Sequence, residues 1–458
     1  MNAVDLACAE ITRLGAGRVS RDRDERVKLS LDWSRMSPVL AEKVPPGRYV
    51  ADAVVRPATG PDVATVLRLA YEHDVPVTPR GGGTGNYGQA TPFSGGILLD
   101  LRGLTDVRLG DATDTGGTDT GGGTDAGTVT VGAGARFTSV DKVLRAAGRD
   151  IWMYPSTKSS TVGGFVGGGS AGTGSIEHGT TSDGFVVSAT IAPCDGSGEL
   201  FTVSGTDLVP FVHTYGVTGV IVEVEVRTDP ARDWTAVYAS YGGYPELAAG
   251  MATMAGLSPL PRLVSADEPA LVPSLPAAVT LEPTRYSLRV IAETGSLPQV
   301  RQVVARTGGE VLAELGDYPE SDRLSGMSYN HPVWYFQRAH PDQTWFHMET
   351  SGEVVLTDPD AVRAAYDGPV YLHLEQFARG PGAMVMAGYS GEAAVYAGMA
   401  RMEEIGMGVH SPHQWYVDRN PALAAETARR TDPKGLLNPG KLVDDPPVDS
   451  RVNIGVAR

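Results

Sequence analysis

The spacing of apolar residues predicts alternating strands and helices in the first half of this 458-residue chain. A strand-like run at 53–56 precedes a helix that begins at Pro61 and keeps Val63, Val66 and Leu67 on one face. Proline suits the first helical turn because the N–H group that it lacks would have no partner there. Other short apolar runs predict strands at 75–78, 96–101, 106–108, 128–131, 186–192 and 217–226.

From about residue 233 the pattern changes to longer strands with a regular alternation. The runs at 235–241 and 286–291 alternate like strands that are buried on one face. For Arg289, on the second of these runs, we expect a surface ion pair, with a carboxylate-binding role as the alternative. This change of pattern predicts a second, sheet-based domain.

Composition and charge narrow the class of protein. The chain is 41% hydrophobic and 20% charged, with a net charge of −16. Nucleic acids and anionic membranes attract basic surfaces, so we expect neither as a partner. No apolar run reaches the ~18 residues of a membrane span, and the N-terminus does not resemble a secretory signal. Two distant cysteines exclude a disulfide framework. We therefore expect a soluble, cytoplasmic protein.

Residues 111–127 consist only of Asp, Ala, Thr and Gly. Such a tract cannot bury a core, so we expect a mobile surface loop. A calcium-binding loop is the alternative, although the aspartate spacing matches no known pattern.

Much of the excess glycine lies in two loops about eighty residues apart. Five of the eight residues from Gly81 to Gly88 are glycine, as are nine of the twenty-four over 161–184. Backbone N–H groups without an obstructing Cβ form concave anion sites. The two loops therefore predict a site for a ligand with a pyrophosphate, with two unliganded flexible loops as the alternative.

Other glycine-containing motifs fit less well. No P-loop sequence occurs, and the GxGxxG match at 83–88 leads into a loop and strand instead of the helix that a Rossmann fold requires. The segment 168–172 matches the G-x-S-x-G motif of serine hydrolases, but no apolar strand precedes it. A serine hydrolase that uses Ser170 stays open as an alternative.

Four motifs in order resemble the superfamily of FAD-linked oxidases that contains vanillyl-alcohol oxidase and p-cresol methylhydroxylase, and within it the FAD domain of D-lactate dehydrogenase and glycolate oxidase. The motifs lie at 55–57 with 79–85, at 155–164 with 178–179, at 219–223 and at 438–441. The resemblance implies an α+β fold, with a two-subdomain FAD-binding domain of the p-cresol methylhydroxylase type and a sheet-based substrate cap domain. We expect an N-terminal helical segment over 1–45, the FAD-binding domain over 46–230, the cap over 231–410 and a C-terminal return to the FAD domain over 411–458.

The resemblance also implies which residues bind FAD. They are Arg80, Gly81, Gly82, Gly83, Thr84 and Gly85 at the pyrophosphate, and Pro155, Thr161, Gly163, Gly164, Gly179 and Ile221 along the rest of the cofactor. Lys441 is expected near the flavin or the substrate, with a plain turn lysine as the alternative.

Covalent attachment and oxygen access can also be compared with the family. The positions that tether flavin in some members hold Thr84 and Ser159, which are poor nucleophiles, so we expect non-covalent FAD. A tether from a His or Tyr of the cap is the alternative. Ser170 aligns with the residue that controls oxygen access, and its side chain favours a dehydrogenase over an oxidase.

Histidines of the cap are the candidate catalytic bases, because an imidazole titrates near neutral pH. His410 and His413 lie where the chain returns to the flavin, and His373 shares a strand face with Glu375. For each of them, a hydrogen-bonded structural role is the alternative. We predict no metal, since the HGxGNxH and EHG motifs of the metal-dependent hydroxy acid branch are missing. A zinc site built from these four residues is the alternative.

The sequence therefore predicts an FAD-dependent oxidoreductase that takes a hydride from a small hydroxy acid, alcohol or amine. Its electron acceptor is unknown, and a homodimer stays open. The alternatives are a serine hydrolase and a flavin-binding protein without turnover.

Overall fold

The computed structural model describes residues 2–110, 127–169 and 171–443. The prediction of a mobile or calcium-binding loop at 111–127 therefore falls almost entirely outside the described residues. Ser170 also lies outside them, both as the hydrolase nucleophile and as the residue that controls oxygen access.

The first half of the chain forms two sheets that share one hydrophobic core. Its helices and strands are α1 (Ala3–Leu14), β1 (Arg18–Ser20), α2 (Arg23–Leu29), α3 (Pro38–Lys43), β2 (Ala53–Arg56), α4 (Gly60–Glu72), β3 (Val77–Arg80), β4 (Ile97–Asp100), β5 (Val107–Leu109), β6 (Thr128–Gly132), α5 (Phe137–Ala146), β7 (Arg149–Ile151), α6 (Val162–Gly168), α7 (Ser175–His178), β8 (Val186–Ala192), β9 (Phe201–Ser204) and β10 (Val220–Pro230). Strands β2, β3 and β4 are parallel, whereas β5 to β10 form an antiparallel sheet around β10.

The second half is built on one antiparallel sheet of eight strands in the order β14-β11-β13-β12-β16-β17-β15-β18. Its elements are β11 (Trp234–Tyr241), α8 (Tyr244–Met254), β12 (Leu263–Asp267), β13 (Tyr286–Glu293), α9 (Leu297–Arg306), β14 (Glu310–Leu315), α10 (Tyr318–Ser325), α11 (His331–Ala339), β15 (Trp345–Ser351), α12 (Val354–Thr357), α13 (Pro359–Arg363), β16 (Val370–Phe377), β17 (Gly380–Gly388), α14 (Glu392–Glu404) and β18 (Gly408–His410). Helix α15 (Pro421–Thr431) follows this sheet. The α+β class and the sheet-based cap are thus confirmed.

Helix α4 shows how local sequence forms these elements. Thr59 caps its N-terminus by accepting a hydrogen bond from the backbone N–H of Asp62, whose side chain accepts one from the backbone N–H of Thr59. Val63, Val66 and Leu67 are fully buried on its inner face. The predicted helix therefore begins one residue before Pro61, at Gly60.

Both ends of the described chain contact the sheet whose four strands lie in the order β1-β2-β4-β3. The segment 1–45 contains helices α1 to α3, but β1 interrupts them and pairs with β2 at the edge of this sheet. The segment is therefore helical with one three-residue edge strand, which is stabilised by its partner and not by its own pattern. At the other end, Asn438 donates its backbone N–H to the carbonyl of Val77 in β3 at 2.7 Å. In the described ranges no helix is both long and apolar enough to cross a membrane.

Four charged side chains lie fully buried in the cap domain. His373 lies between Asp267, 2.9 Å from Nδ1, and Glu375, 2.8 Å from Nε2. Arg289 pairs with the other oxygen of Asp267. The expectation of a surface ion pair for Arg289 is therefore wrong, because β13 is a central strand whose two faces are both covered. Glu375 also accepts the backbone N–H of Tyr329, so this cluster supports the turn before α11.

We expect the melting temperature of the protein to fall as the pH rises from about 6.5 to 9. Burial opposes the charge on His373, but Asp267 and Glu375 outweigh it and raise its pKa to about 9. In an unfolded chain the pKa of histidine is ~6.5, so the native imidazolium stabilises the fold fully below that pH and loses its contribution as the pH passes 9. Thermal unfolding between pH 6 and 10 tests this. His373→Gln should flatten the slope, whereas exposed His340→Gln should not; equal slopes in all three proteins would contradict the prediction.

Candidate functional site

A cavity of about 770 Å³ lies between the two glycine-rich loops and the cap sheet. Ligand pockets range over ~300–1,000 Å³, so this one is large enough for an extended ligand. Of the residues predicted to bind the cofactor, all but Lys441 line it: Arg80, Gly81, Gly82, Gly83, Thr84, Gly85, Pro155, Thr161, Gly163, Gly164, Gly179 and Ile221. Tertiary structure thus brings the two loops to one wall.

Glycine is required where these loops pack against each other and against the end of β6. A Cβ on Gly81 would lie 2.2 Å from Oγ1 of Thr161, the residue that caps α6. A Cβ on Gly163 would lie 2.5 Å from the Cβ of Ala133 and 2.8 Å from its carbonyl oxygen. Both distances are far below van der Waals contact, so neither loop could approach its neighbour with a side chain in place.

Other glycines leave room for a ligand. A Cβ on Gly167 or Gly168 would meet no protein atom closer than 3.9 Å and 4.0 Å, respectively, although both residues line the cavity. Arg80, also on the wall, donates from Nη1 to the carbonyl of Leu31, while its buried Nε has no partner among the described residues. The wall therefore combines bare backbone with a guanidinium, as an anionic dinucleotide requires.

At the cap end of the cavity, Glu349 accepts hydrogen bonds from three side chains. Oε1 accepts from the hydroxyl of Tyr87 at 2.6 Å and from Nδ2 of Asn330 at 2.9 Å. Oε2 lies 2.9 Å from Nδ1 of His410, whose Nε2 lies 3.3 Å from Asp418. The imidazole of His410 is thus held between two carboxylates, and Tyr87, Asn330, Glu349 and His410 all line the cavity.

These contacts set the charge of each group. Burial opposes the charge on Glu349, but the hydrogen bond and charge of His410 outweigh it and hold the pKa of this carboxyl at about 2. Burial likewise opposes the charge on His410, but Asp418 and Glu349 raise its pKa to about 10. His213 has no such partner within bonding distance, and burial lowers its pKa to about 4. A charged and a neutral imidazole therefore stand side by side.

His213 reaches the cavity through an unusual backbone. Its φ of 60° lies in the left-handed region, and its ring centroid is 6.2 Å from that of His410. A Cβ on Gly169 would lie 2.0 Å from Cγ of His213, so only glycine fits beside this ring. Sequence reasoning missed His213, Tyr87, Glu349 and Asp418. Among these four, only Tyr87 lies in a segment that the sequence pattern singled out, the glycine-rich loop from Gly81 to Gly88.

Comparisons with known proteins bear on the cofactor and the fold. The family model described as an FAD binding domain matches residues 51–203. An uncharacterized FAD-linked oxidoreductase of Mycobacterium tuberculosis is 24% identical over 434 residues, which cover 85% of this chain and 90% of the relative. A D-lactate dehydrogenase of Archaeoglobus fulgidus is 28% identical over 190 residues, 40% of each chain. A solved structure of alkyldihydroxyacetonephosphate synthase has a TM-score of 0.71 at 15% identity, covers 92% of this chain and 83% of its own, and so shares the fold.

The chain is a member of the FAD-linked oxidase superfamily. FAD is its cofactor, and the chain is an enzyme of the FAD-linked oxidoreductase family. The predicted superfamily, fold class and cofactor are therefore confirmed.

In this FAD-linked oxidoreductase, aromatic and cationic side chains line the part of the cavity wall not yet described. Trp33 and Trp334 meet edge to face at 6.1 Å. Arg379 and Arg419 also line the cavity, and Arg379 pairs with Asp183 at 2.8 Å. Burial lowers the pKa of Arg419, with the charge of Asp183 opposing that effect. A small apolar group and an anionic group would both find partners here.

Three residues predicted at the site lie away from the cavity. His413 is buried against Ser37, whose Oγ is 2.7 Å from Nδ1, and burial lowers its pKa to about 3. His373 belongs to the buried cap cluster. Lys441 is fully buried, donates to the carbonyl of Gly88 and lies 3.3 Å above the ring of Phe93. These positions argue against direct contact with a substrate and leave His410 as the predicted histidine that can make one.

We expect the FAD of this enzyme to be released when the protein is denatured in acid. Thr84 and Ser159, at the tether positions, both line the cavity, and Oγ1 of Thr84 lies 2.7 Å from Oγ of Ser160. The cysteine thiols, Cys8 and Cys194, are buried elsewhere, and burial raises the pKa of each. Trichloroacetic acid precipitation should leave the yellow flavin in the supernatant. Flavin in the pellet that survives on a denaturing gel would contradict non-covalent binding.

Proposed function

We propose that this FAD-linked oxidoreductase is a dehydrogenase of small hydroxy acids. Its substrate binds between the flavin and the group formed by Glu349, His410 and Asp418. The observation that carries the proposal is the placement of His410 on the cavity wall between two carboxylates. The similarity of the FAD domain to a D-lactate dehydrogenase supports the substrate class.

Bound FAD would accept the hydride of the substrate's α C–H bond, so the protein must take the hydroxyl proton and orient the substrate. The proton would pass to a carboxylate oxygen of Glu349, which lines the cavity, because His410 as an imidazolium has no free nitrogen to accept it. The group of Glu349, His410 and Asp418, in which two carboxylates exceed one imidazolium by one negative charge, then becomes neutral. Tyr87 and Asn330 keep Glu349 in place by donating to Oε1. The group thus acts as one acid–base unit.

The substrate's carboxylate would bind the guanidinium groups on the same wall. Arg419 and Arg379 both line the cavity, and a guanidinium binds a carboxylate through two parallel hydrogen bonds. Trp33 and Trp334 limit the space for the rest of the substrate. An acceptor other than O2 is part of the proposal and rests on the family position held by Ser170.

Anaerobic flavin reduction tests the proposal. The purified holoprotein is mixed under argon with glycolate, D-lactate, L-lactate and D-2-hydroxyglutarate, and with primary alcohols and amines. We expect at least one hydroxy acid to bleach the 450 nm absorbance, and an artificial acceptor such as dichlorophenolindophenol to restore it faster than air does. If dithionite reduces the flavin but no hydroxy acid does, the proposed substrate class is wrong. Rapid peroxide formation in air would instead identify an oxidase.

A further inference from the structure

Three side chains come together from separate parts of the chain, two of them on the cavity wall and the third, Asp418, behind it. His213 precedes β10, His410 ends β18 and Asp418 precedes α15. One ligand atom from each lies within 4.8 Å of the other two. The residues that the sequence suggested for zinc do not assemble in this way, since His373 and His413 lie away from the cavity.

We propose that His213, His410 and Asp418 bind a divalent first-row transition-metal ion on the wall of the cavity. This proposal differs from the prediction made from the sequence, which was that the protein binds no metal. Two imidazoles and one carboxylate suit zinc or ferrous iron and leave further coordination positions open. Binding of the ion stands apart from the proposed function, whereas its use to hold a substrate hydroxyl oxygen rests on it.

The spacing of the ligand atoms fits a metal. Nε2 of His410 and Oδ2 of Asp418 are 3.3 Å apart. Ligand atoms ~2.0–2.2 Å from a tetrahedral zinc ion lie about 3.3–3.6 Å from each other. This pair therefore needs almost no movement to bind one ion. The ligand atom of His213 lies within 4.8 Å of both and would complete the set of three.

Each proposed ligand has a partner that orients it. Nδ1 of His410 lies 2.9 Å from Glu349, which leaves Nε2 to face the ion. Nε2 of Gln414 donates at 2.7 Å to Oδ2 of Asp418, the same oxygen that would bind the ion. The hydroxyl of Tyr215 lies 3.4 Å from Nε2 of His213, so His213 would bind the ion through Nδ1. Ligating histidines usually bond a carboxylate or another polar group through the second ring nitrogen. These contacts match that arrangement.

Charge favours a cation at this place. With both imidazoles neutral, Glu349 and Asp418 contribute two negative charges beside the site, and Arg419, whose charge acts on His213, contributes one positive charge, so a net negative charge faces the ion. The cavity supplies access, since His213 and His410 both line it. A bound ion would act as a Lewis acid toward a substrate oxygen.

A second cluster with similar residue types provides a matched control. Ligand atoms of Glu177, His178 and Asp229 also lie within 4.8 Å of one another. Here Arg232 already pairs with Glu177 at 2.7 Å and with Asp229 at 3.3 Å, and the ring of His178 stacks on Trp152. The guanidinium of Arg232 already neutralises the two carboxylates, so we expect this cluster to bind no metal ion.

Metal binding is measured on FAD-loaded protein, independently of turnover. The protein is treated with dipicolinate, dialysed, and titrated with Zn²⁺ by calorimetry, with zinc per chain counted by mass spectrometry. We expect one ion per chain, a loss of affinity of at least about 100-fold in Asp418→Asn and in His213→Asn, and unchanged binding in Asp229→Asn. Two ligand variants are used because one of them could fail to fold. The FAD content of each purified variant shows whether it is folded.

Two results would overturn the metal site: no stoichiometric zinc in the wild type, or wild-type affinity in a folded ligand variant. Flavin reduction by hydroxy acids is recorded on the same samples. A protein that binds no zinc but is reduced by a hydroxy acid would contradict only the metal site, whereas one that binds zinc but is reduced by no hydroxy acid would contradict only the proposed function.

Discussion

Glu349→Gln is expected to slow flavin reduction by about 10²–10⁴-fold, the usual contribution of a positioned acid–base group. The amide keeps the shape of the side chain but removes the negative charge that holds His410 at 2.9 Å. It also replaces an oxygen that accepts from Tyr87 or Asn330, or one that faces His410, with a donor. Stopped-flow absorbance at 450 nm with saturating hydroxy acid measures the rate.

The control for Glu349→Gln is Glu404→Gln, which removes a carboxylate from an exposed position on α14. Both variants should purify with the FAD content of the wild type, because Glu349 contacts the first glycine loop through the hydroxyl of Tyr87, a hydrogen bond that a glutamine oxygen can still accept. A Glu349→Gln protein that is reduced at the wild-type rate would show that the carboxylate has no part in the reaction.

Gly167→Leu is expected to weaken FAD binding by about 100-fold or more, which corresponds to ~2.7 kcal/mol. Gly167 lies in α6 and lines the cavity, and the nearest protein atom to an added Cβ is Cδ1 of Ile221 at 3.9 Å. An added Cβ is therefore tolerated by the surrounding side chains, and the rest of a leucine side chain would occupy space on the cavity wall that we assign to the cofactor. Leucine also has a higher helix propensity than glycine, so the fold should be retained.

The matched control is Gly295→Leu, at an exposed position where an added Cβ has no neighbour within 4 Å. Apoprotein of each variant is titrated with FAD, and flavin fluorescence quenching gives the dissociation constant. Circular dichroism of the apoproteins should be the same. Wild-type affinity in Gly167→Leu would place the flavin elsewhere and remove the basis for the assignment of the cavity.

Several features of this enzyme are determined by local sequence, and these were predictable. The strand at 186–192 agrees residue for residue with β8, and α4 begins one residue before the predicted proline, because apolar spacing and capping act over a few residues. The glycine loops are equally local, since a bare backbone is a property of the residues themselves. All twelve loop and strand residues predicted to contact FAD line the cavity.

The choice among the histidines was decided by tertiary structure. His410 and His413 are three residues apart, yet one ends β18 on the cavity wall and the other packs against Ser37 from the N-terminal segment. His373 looked like a base beside Glu375, but Asp267 from a neighbouring strand makes the group a buried ion cluster. The direction and charge of a side chain depend on partners distant in sequence, so no local pattern distinguishes these cases.

By itself, the sequence determined the strand and helix pattern, the two glycine loops and the cofactor class, because each depends on residues close together in the chain. Only the tertiary structure decided which polar groups meet at the cavity. Glu349 lies 61 residues from His410 and 262 from Tyr87. These groups converge because the cap sheet places β15 beside β18 and the C-terminal segment returns to the FAD domain.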